Sequence, residues 1–132
     1  VYEPLSFIKS LAELTRPGGH VFVSTLTVDG FDIQTLWEKS NSIFPPHHIN
    51  FISIEGFRHL FTRAGLEIVS ISTPGALDVD ILRNIHEKYP KSFDNNRFVS
   101  QLMASPERAS RFQQFLADNC LSSHAWVFAM KV

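Results

Sequence analysis

The hydrophobic pattern of the first quarter of the chain predicts a helix followed by a strand. The helix begins at Pro4, which suits a first helical turn because its missing N–H has no partner there. Its apolar residues recur at helical spacing, at Leu5, Ile8, Leu11 and Leu14. Pro17-Gly18-Gly19 ends the helix, and Val21–Val23 is apolar on both faces. Such a run is typical of a strand buried from both sides, as in a parallel sheet.

The same order recurs in the middle of the chain. Ser53 is a predicted N-cap, and Glu55 in the first turn favours the helix dipole. The helix has an apolar stripe and ends at Gly65, a natural C-terminal cap. Leu66–Ser72 then reads as a second strand. Two successive helix, glycine and strand units predict an α/β domain.

The remaining segments are predicted to be extensions and a closing strand. Residues 27–52 are irregular, with a short helix at Phe31–Glu38. Residues 73–123 are predicted to hold three helices, one at Leu77–Lys88, one capped by Asp94 and one that follows Ser105. Ala125–Val132 is rich in strand-forming residues. We expect residues 1–132 to form a single domain.

The net charge and the cysteine count of the chain argue against several classes of function. The formal net charge is −1 and the basic residues are scattered, which argues against nucleic acid and anionic membranes as partners. The only cysteine, Cys120, excludes an intrachain disulfide and indicates a reducing, cytoplasmic compartment. It is predicted to lie on a buried helical face. Because the chain starts at Val1 and enters a helix at once, we expect it to be part of a longer polypeptide.

Two stretches of the chain resemble class I S-adenosylmethionine-dependent methyltransferases. Leu14–Ser24, LTRPGGHVFVS, is similar to the L-K-P-G-G-x-hydrophobic signature that leads into strand five of that family. Ser53–Leu66 is similar to the next helix, which ends in A-G-F/L before strand six. Ala125–Val132 would be strand seven, antiparallel between the other two. The resemblance implies the C-terminal part of a Rossmann-like methyltransferase fold, with a mixed three-stranded sheet ordered 5-7-6.

The cofactor-binding features of that family have no counterpart in this sequence. Its glycine-rich loop and the acidic residue for the ribose hydroxyls would lie upstream of Val1, so the cofactor-binding residues of this protein are unknown. The resemblance implies S-adenosylmethionine as the cofactor of the intact enzyme. We expect this chain alone to bind it weakly or not at all and to be inactive.

The two extensions are predicted to leave from the same edge of the sheet. Strands five and six are co-directional, and ligands of open α/β sheets bind outside the carboxyl ends of the strands. The 73–123 insertion is therefore placed either to cap a substrate pocket or to pack the sheet edge and mediate dimerisation.

The segment Pro45–Phe51 carries the most suggestive side chains. Related O-methyltransferases, including the ubiquinone-biosynthesis type, have a histidine at a similar place. The resemblance points to His47 or His48 as a substrate contact or base, since an imidazole can accept the proton of a hydroxyl near neutral pH. Asn50 and Phe51 are candidate substrate contacts. Alternatively, one histidine binds a loop carbonyl and the other faces solvent.

Several acidic and aromatic residues follow the first strand, where the family shapes its acceptor pocket. Asp29 and Trp37 are candidate substrate-binding residues, and Asp32 lies between them. Each is alternatively a turn or packing residue. Asp78 and Asp80 are expected to stabilise the N-terminus of the Leu77–Lys88 helix. No metal site is predicted, because His47 and His48 point different ways in an extended chain and lack partners at ligand spacing.

Two functions follow from these observations. The first is methyl transfer to a small-molecule acceptor with a hydroxyl, or less favourably to nitrogen or carbon. The second is a non-catalytic binding module that self-associates as a homodimer. In that case the unpaired edge of Val21–Val23 would pair with another copy.

Overall fold

The structure is a computed structural model that describes residues 1–132. Its helices and strands alternate in the first half, and three helices separate the last two strands. The elements are α1 (Pro4–Leu14), β1 (His20–Leu26), α2 (Phe31–Leu36), a 3-10 helix (Trp37–Lys39), α3 (Ile54–Arg63), β2 (Leu66–Ser72), α4 (Asp78–Lys88), α5 (Arg97–Met103), α6 (Pro106–Asp118) and β3 (His124–Lys131).

The three strands form one sheet in the order β1-β3-β2. The central strand β3 is antiparallel to both neighbours, with Val21 opposite Ala129 and Ile71 opposite Val127. The outer strands β1 and β2 are therefore co-directional. This arrangement confirms the predicted order and directions of strands five, seven and six.

One face of the sheet holds the main core. Alternate residues of the strands point to this face, and α1 and α3 cover it with Ile8, Phe57 and Phe61. The helices are fixed at their ends as the sequence predicts. Ser53 accepts a hydrogen bond from the N–H of Gly56, and Gly65 ends the unit in the left-handed region at φ +79°.

The opposite face of the sheet corrects the prediction of a strand buried from both sides. Phe22 is 55% exposed and Trp126 is 45% exposed, and their rings pack edge to face at 5.6 Å. Beside them, the rings of His20 and Phe128 stack at 4.9 Å. The run Val21–Val23 is apolar throughout, but only one of its two faces is covered within this chain.

The 73–123 segment is helical, with its own small cores. Leu82, Ile85 and Val99 belong to one buried cluster, which includes Leu36 of α2. A second cluster joins α4, α5 and α6. Ser105 caps α6 as predicted. The cap of α5 is Asn96, whose side chain accepts the N–H of Val99, and not Asp94.

Two local predictions are wrong. Cys120 lies beyond the end of α6, at φ +57°, and is half-buried instead of lying on a buried helical face. Residues 44–48 form a turn in which the N–H groups of His47 and His48 donate to the carbonyl of Phe44, so this stretch is not extended. The closing strand begins at His124, one residue earlier than predicted.

No helix has the length and hydrophobicity that crossing a bilayer requires.

Candidate functional site at the carboxyl edge of the sheet

The co-directional strands bring three chain segments to one edge of the sheet. β1 ends there at Leu26 and β2 ends there at Ser72. Because β3 runs the other way, its first residue, His124, lies opposite Leu26 at the same edge. Open α/β sheets bind their ligands outside such an edge.

A cavity of about 580 Å³ lies at this edge, and we call it the rim pocket. Its apolar wall includes Leu26, Leu77, Ile81 and Trp126, and its polar residues come from three segments. The polar and small residues of the lining are Asn41, Ser42, His48, Pro74, Gly75, Ala76, Asp78, Ser122, Ser123 and His124. The pocket thus combines an apolar surface with two imidazoles.

His124 is held on the strand and not on a loop. Its Nε2 hydrogen-bonds the hydroxyl of Ser24 at 2.9 Å, across the β1–β3 pair. The ring is exposed, so its other nitrogen can reach a ligand. Sequence reasoning missed this residue.

The two predicted histidines separate in the structure. His48 lines the rim pocket, and its ring lies 6.4 Å from that of Phe51. His47 does not line the rim pocket, and its ring stacks on Phe44 at 5.5 Å. The turn at 44–48 therefore brings one of the pair to the carboxyl edge.

Both histidines also line a second cavity beside β1, which we call the edge groove. It has a volume of about 510 Å³ and is mostly apolar. Its walls are α1, α3 and the 47–50 segment, and its floor follows Phe22–Thr25 of β1. On this side the chain is paired just beyond the end of β1, through a parallel bridge between Thr27 and Ile52.

The other predicted site residues contact the chain itself or solvent. The Oδ2 of Asp29 accepts the N–H of Ile54 at 2.6 Å, at the start of α3. The side-chain amide of Asn50 donates to the carbonyl of Val1 and lies in the edge groove. Trp37 is 57% exposed at φ +49°, and neither it nor Phe51 lines the rim pocket.

Two buried carboxyl groups lie behind the rim pocket. Asp32 is fully buried and Asp78 is 1% exposed. Burial raises the pKa of the Asp32 carboxyl; the nearby hydroxyl of Ser123 opposes this rise, and the charge of Asp78 adds to it. No cluster of three or more His, Cys, Asp and Glu side chains suitable for a metal ion is present.

The rim glycines and acidic residues do not fit an S-adenosylmethionine site. A Cβ atom at Gly30 would lie 2.2 Å from the Cα of Ser123, and one at Gly75 would lie 1.9 Å from the hydroxyl of Ser122. These glycines therefore serve close packing of the chain. The carboxylates of Asp29 and Asp78 already accept hydrogen bonds from the chain, so neither is free for a ribose.

Comparison with known proteins assigns the family. The model of a methyltransferase domain matches residues 1–71, which contain α1, β1, α2, α3 and all of β2 except its last residue. The chain belongs to the methyltransferase domain family. This membership agrees with the sheet order and with the position of the rim pocket at the carboxyl edge.

Among solved structures, the chain is similar to YjhP from E. coli at 15% identity and a TM-score of 0.31. The match covers 89% of this chain and 51% of YjhP, so the chain spans about half the length of that protein. No curated protein sequence matches the chain.

Proposed function

We propose that this chain supplies the acceptor side of an S-adenosylmethionine-dependent methyltransferase. The methyl group would go to a hydroxyl oxygen of a small or medium acceptor in the rim pocket. One observation carries this proposal. A chain of the methyltransferase family has, at the carboxyl edge of its co-directional strands, a pocket that two imidazoles line.

The proposal assigns the acceptor side alone to this chain, since the tested rim residues, Gly30, Gly75, Asp29 and Asp78, do not fit the cofactor. S-Adenosylmethionine is the methyl donor that the family resemblance implies. The residues described here would bind the acceptor, orient it and exclude water from it. Orientation of the reactants is the larger part of catalysis in such a transfer.

His48 and His124 are the candidate proton acceptors. A neutral imidazole nitrogen near the acceptor would take the hydroxyl proton and make the oxygen a stronger nucleophile. Ser24 holds the ring of His124 through its hydrogen bond to Nε2, whereas His48 lies on an exposed turn. His47, which faces the edge groove, remains a prediction as a substrate contact.

The lining of the rim pocket suggests an acceptor with an apolar body and a polar end. Leu26, Leu77, Ile81 and Trp126 form the apolar wall. Leu77 and Ile81 belong to the 73–123 insertion, which supports its proposed role as a substrate cap. Phe51 and Asn50 would act by holding the segment that carries His48.

The test of this proposal follows a labelled methyl group from S-adenosylmethionine to a panel of hydroxylated acceptors. The enzyme is the complete product of the encoding gene. Removal of a general base costs about 10²–10⁴-fold in rate, so we expect His48→Ala or His124→Ala to lower kcat at least about 10²-fold. His59→Ala is the matched control, because His59 is exposed on α3 and pairs with Glu55. Equal rates in all three variants would contradict the proposal.

A second candidate function is self-association of a non-catalytic module. Its supporting observation is that β1 is an edge strand whose Phe22–Thr25 stretch borders the edge groove. Unpaired backbone groups beside apolar surface favour the addition of another strand. We propose a homodimer through β1, and a cytoplasmic location in which Cys120 stays a free thiol.

A further inference from the structure

Asp32 lies at the N-terminal end of α2 and is fully buried. Its Oδ2 accepts the hydroxyls of Ser40 at 3.3 Å and Ser42 at 3.1 Å. Its Oδ1 is buried and has no hydrogen-bond partner. An unpaired buried oxygen on a charged carboxylate is costly, so this atom needs a proton or a donor.

Asp78, the first residue of α4, lies next to Asp32 and accepts hydrogen bonds on both of its oxygens. Oδ1 accepts the N–H of Ser123 at 2.9 Å. Oδ2 accepts the hydroxyl of Ser122 and, at 2.8 Å, the side-chain amide of Gln113 on α6. Three donors stabilise the ionised form of a carboxylate.

The surroundings of the pair contain no compensating cation. The turn after the 3-10 helix contributes the hydroxyls of Ser40 and Ser42, α6 contributes the neutral Gln113, and the loop before β3 contributes two serines. The titratable group that acts on Asp32 is Asp78. Burial and the nearby charge of Asp78 favour the protonated form of Asp32, which can share its proton with Asp78 in a hydrogen bond.

We propose that Asp32 is a positioning residue whose protonated Oδ1 donates to Asp78 and thereby holds Asp78, Ser122 and Ser123 as the inner wall of the rim pocket. The proton remains on Asp32 because Asp78 already accepts three hydrogen bonds. The wall is tightly joined to α2, since the N–H of Phe31 donates to the carbonyl of Leu121 at 2.8 Å. This role in acceptor binding rests on the proposed function, but the shared proton does not.

The first test measures the urea unfolding of the purified chain between pH 4 and pH 9. A group with a raised pKa in the folded state stabilises fully below its unfolded pKa, and the contribution is lost as pH rises through the folded pKa. Between the unfolded and the folded pKa of Asp32, the unfolding equilibrium constant should therefore rise by up to about tenfold for each unit that the pH increases. Asp32→Asn keeps a donor toward Asp78 and should remove this rise. Asp94→Asn, at an exposed carboxylate, should keep it.

The second test follows individual groups by nuclear magnetic resonance. Carbon-13 titration of the wild-type side-chain carboxyls should give Asp32 a midpoint above that of Asp94. The amide proton of Ser123 should shift with the Asp32 midpoint in the wild type and lose this transition in Asp32→Asn. A purely structural Asp32 would leave the Ser123 amide without that transition.

An Asp32 midpoint at or below that of Asp94, or an unchanged pH dependence in Asp32→Asn, would overturn the inference. Neither measurement uses a methyl donor or turnover. The shared proton can therefore fail while the methyltransferase proposal stands, and the reverse also holds.

Discussion

Asp29, a candidate for substrate contact or for a turn, has a capping role in the fold. It follows β1 closely, where class I methyltransferases shape their acceptor pockets. In the structure its carboxylate accepts the N–H of Ile54 and so caps α3 together with Ser53. Two acceptors at one helix start satisfy two of the N–H groups that a helix leaves unpaired.

We expect Asp29→Ala to lower the free energy of unfolding by about 1–2 kcal/mol, as for the loss of an N-cap acceptor. Urea denaturation of the variant measures this change. Asp94→Ala is the control, because its exposed side chain makes no hydrogen bond within the chain, and it should stay within about 0.5 kcal/mol of the wild type. Unchanged stability in Asp29→Ala would show that the Ile54 contact contributes nothing.

At and behind the rim pocket, the sequence did not reveal which residues of distant segments come together. Asp32 and Asp78 each look like helix-terminus residues in isolation, and only the packing of α2 on α4 makes them a pair. The position of His124 at the carboxyl edge could have been predicted from the sequence. Once the last strand is taken as antiparallel between the other two, its first residue must lie at the carboxyl edge.

At the scale of elements, local signals predicted most of the fold. Gly18 and Gly65 adopt positive φ. Each lies in the tight turn that the sequence predicts between a helix and the following strand. Ser53 and Ser105 cap their helices. Such signals are short-range, so a single sequence carries them in full.

Predictions that depended on the neighbourhood of an element were wrong. Phe22 is exposed although its strand is apolar throughout, because periodicity does not say which face finds a partner. Asn96 and not Asp94 caps α5, since two adequate caps lie within two positions. Cys120 lies outside α6 because the helix ends at Asp118.

The edge position of β1 leads to a prediction about assembly. If the proposed β1 contact forms, the chain should elute as a dimer, as measured by size-exclusion chromatography with light scattering. Phe22→Lys should give a monomer, because a lysine on an edge strand opposes strand pairing. Phe115→Lys is the matched control, as Phe115 is 50% exposed on α6 and away from the edge. A monomeric wild type at high micromolar concentration would rule out this contact.

At the scale of the whole molecule, the sequence indicated the reaction class better than the site. The motif at Leu14–Ser24 pointed to methyltransferases, and the family match over residues 1–71 supports it. The acceptor is not encoded in these shared elements. The rim pocket is lined largely by residues 41–48 and 74–81 and by Ser122 and Ser123, which lie outside the strand and helix units that carry the resemblance.

We propose that this chain forms the acceptor side of the enzyme and not its cofactor side. A calorimetric titration of this chain with S-adenosylmethionine tests this proposal most directly. The chain would supply the acceptor side, and its rim glycines and carboxylates are committed to internal packing and hydrogen bonds. We expect no binding in the micromolar range. A saturable heat with micromolar affinity would contradict the account, because the methyl donor would then have its site within these residues.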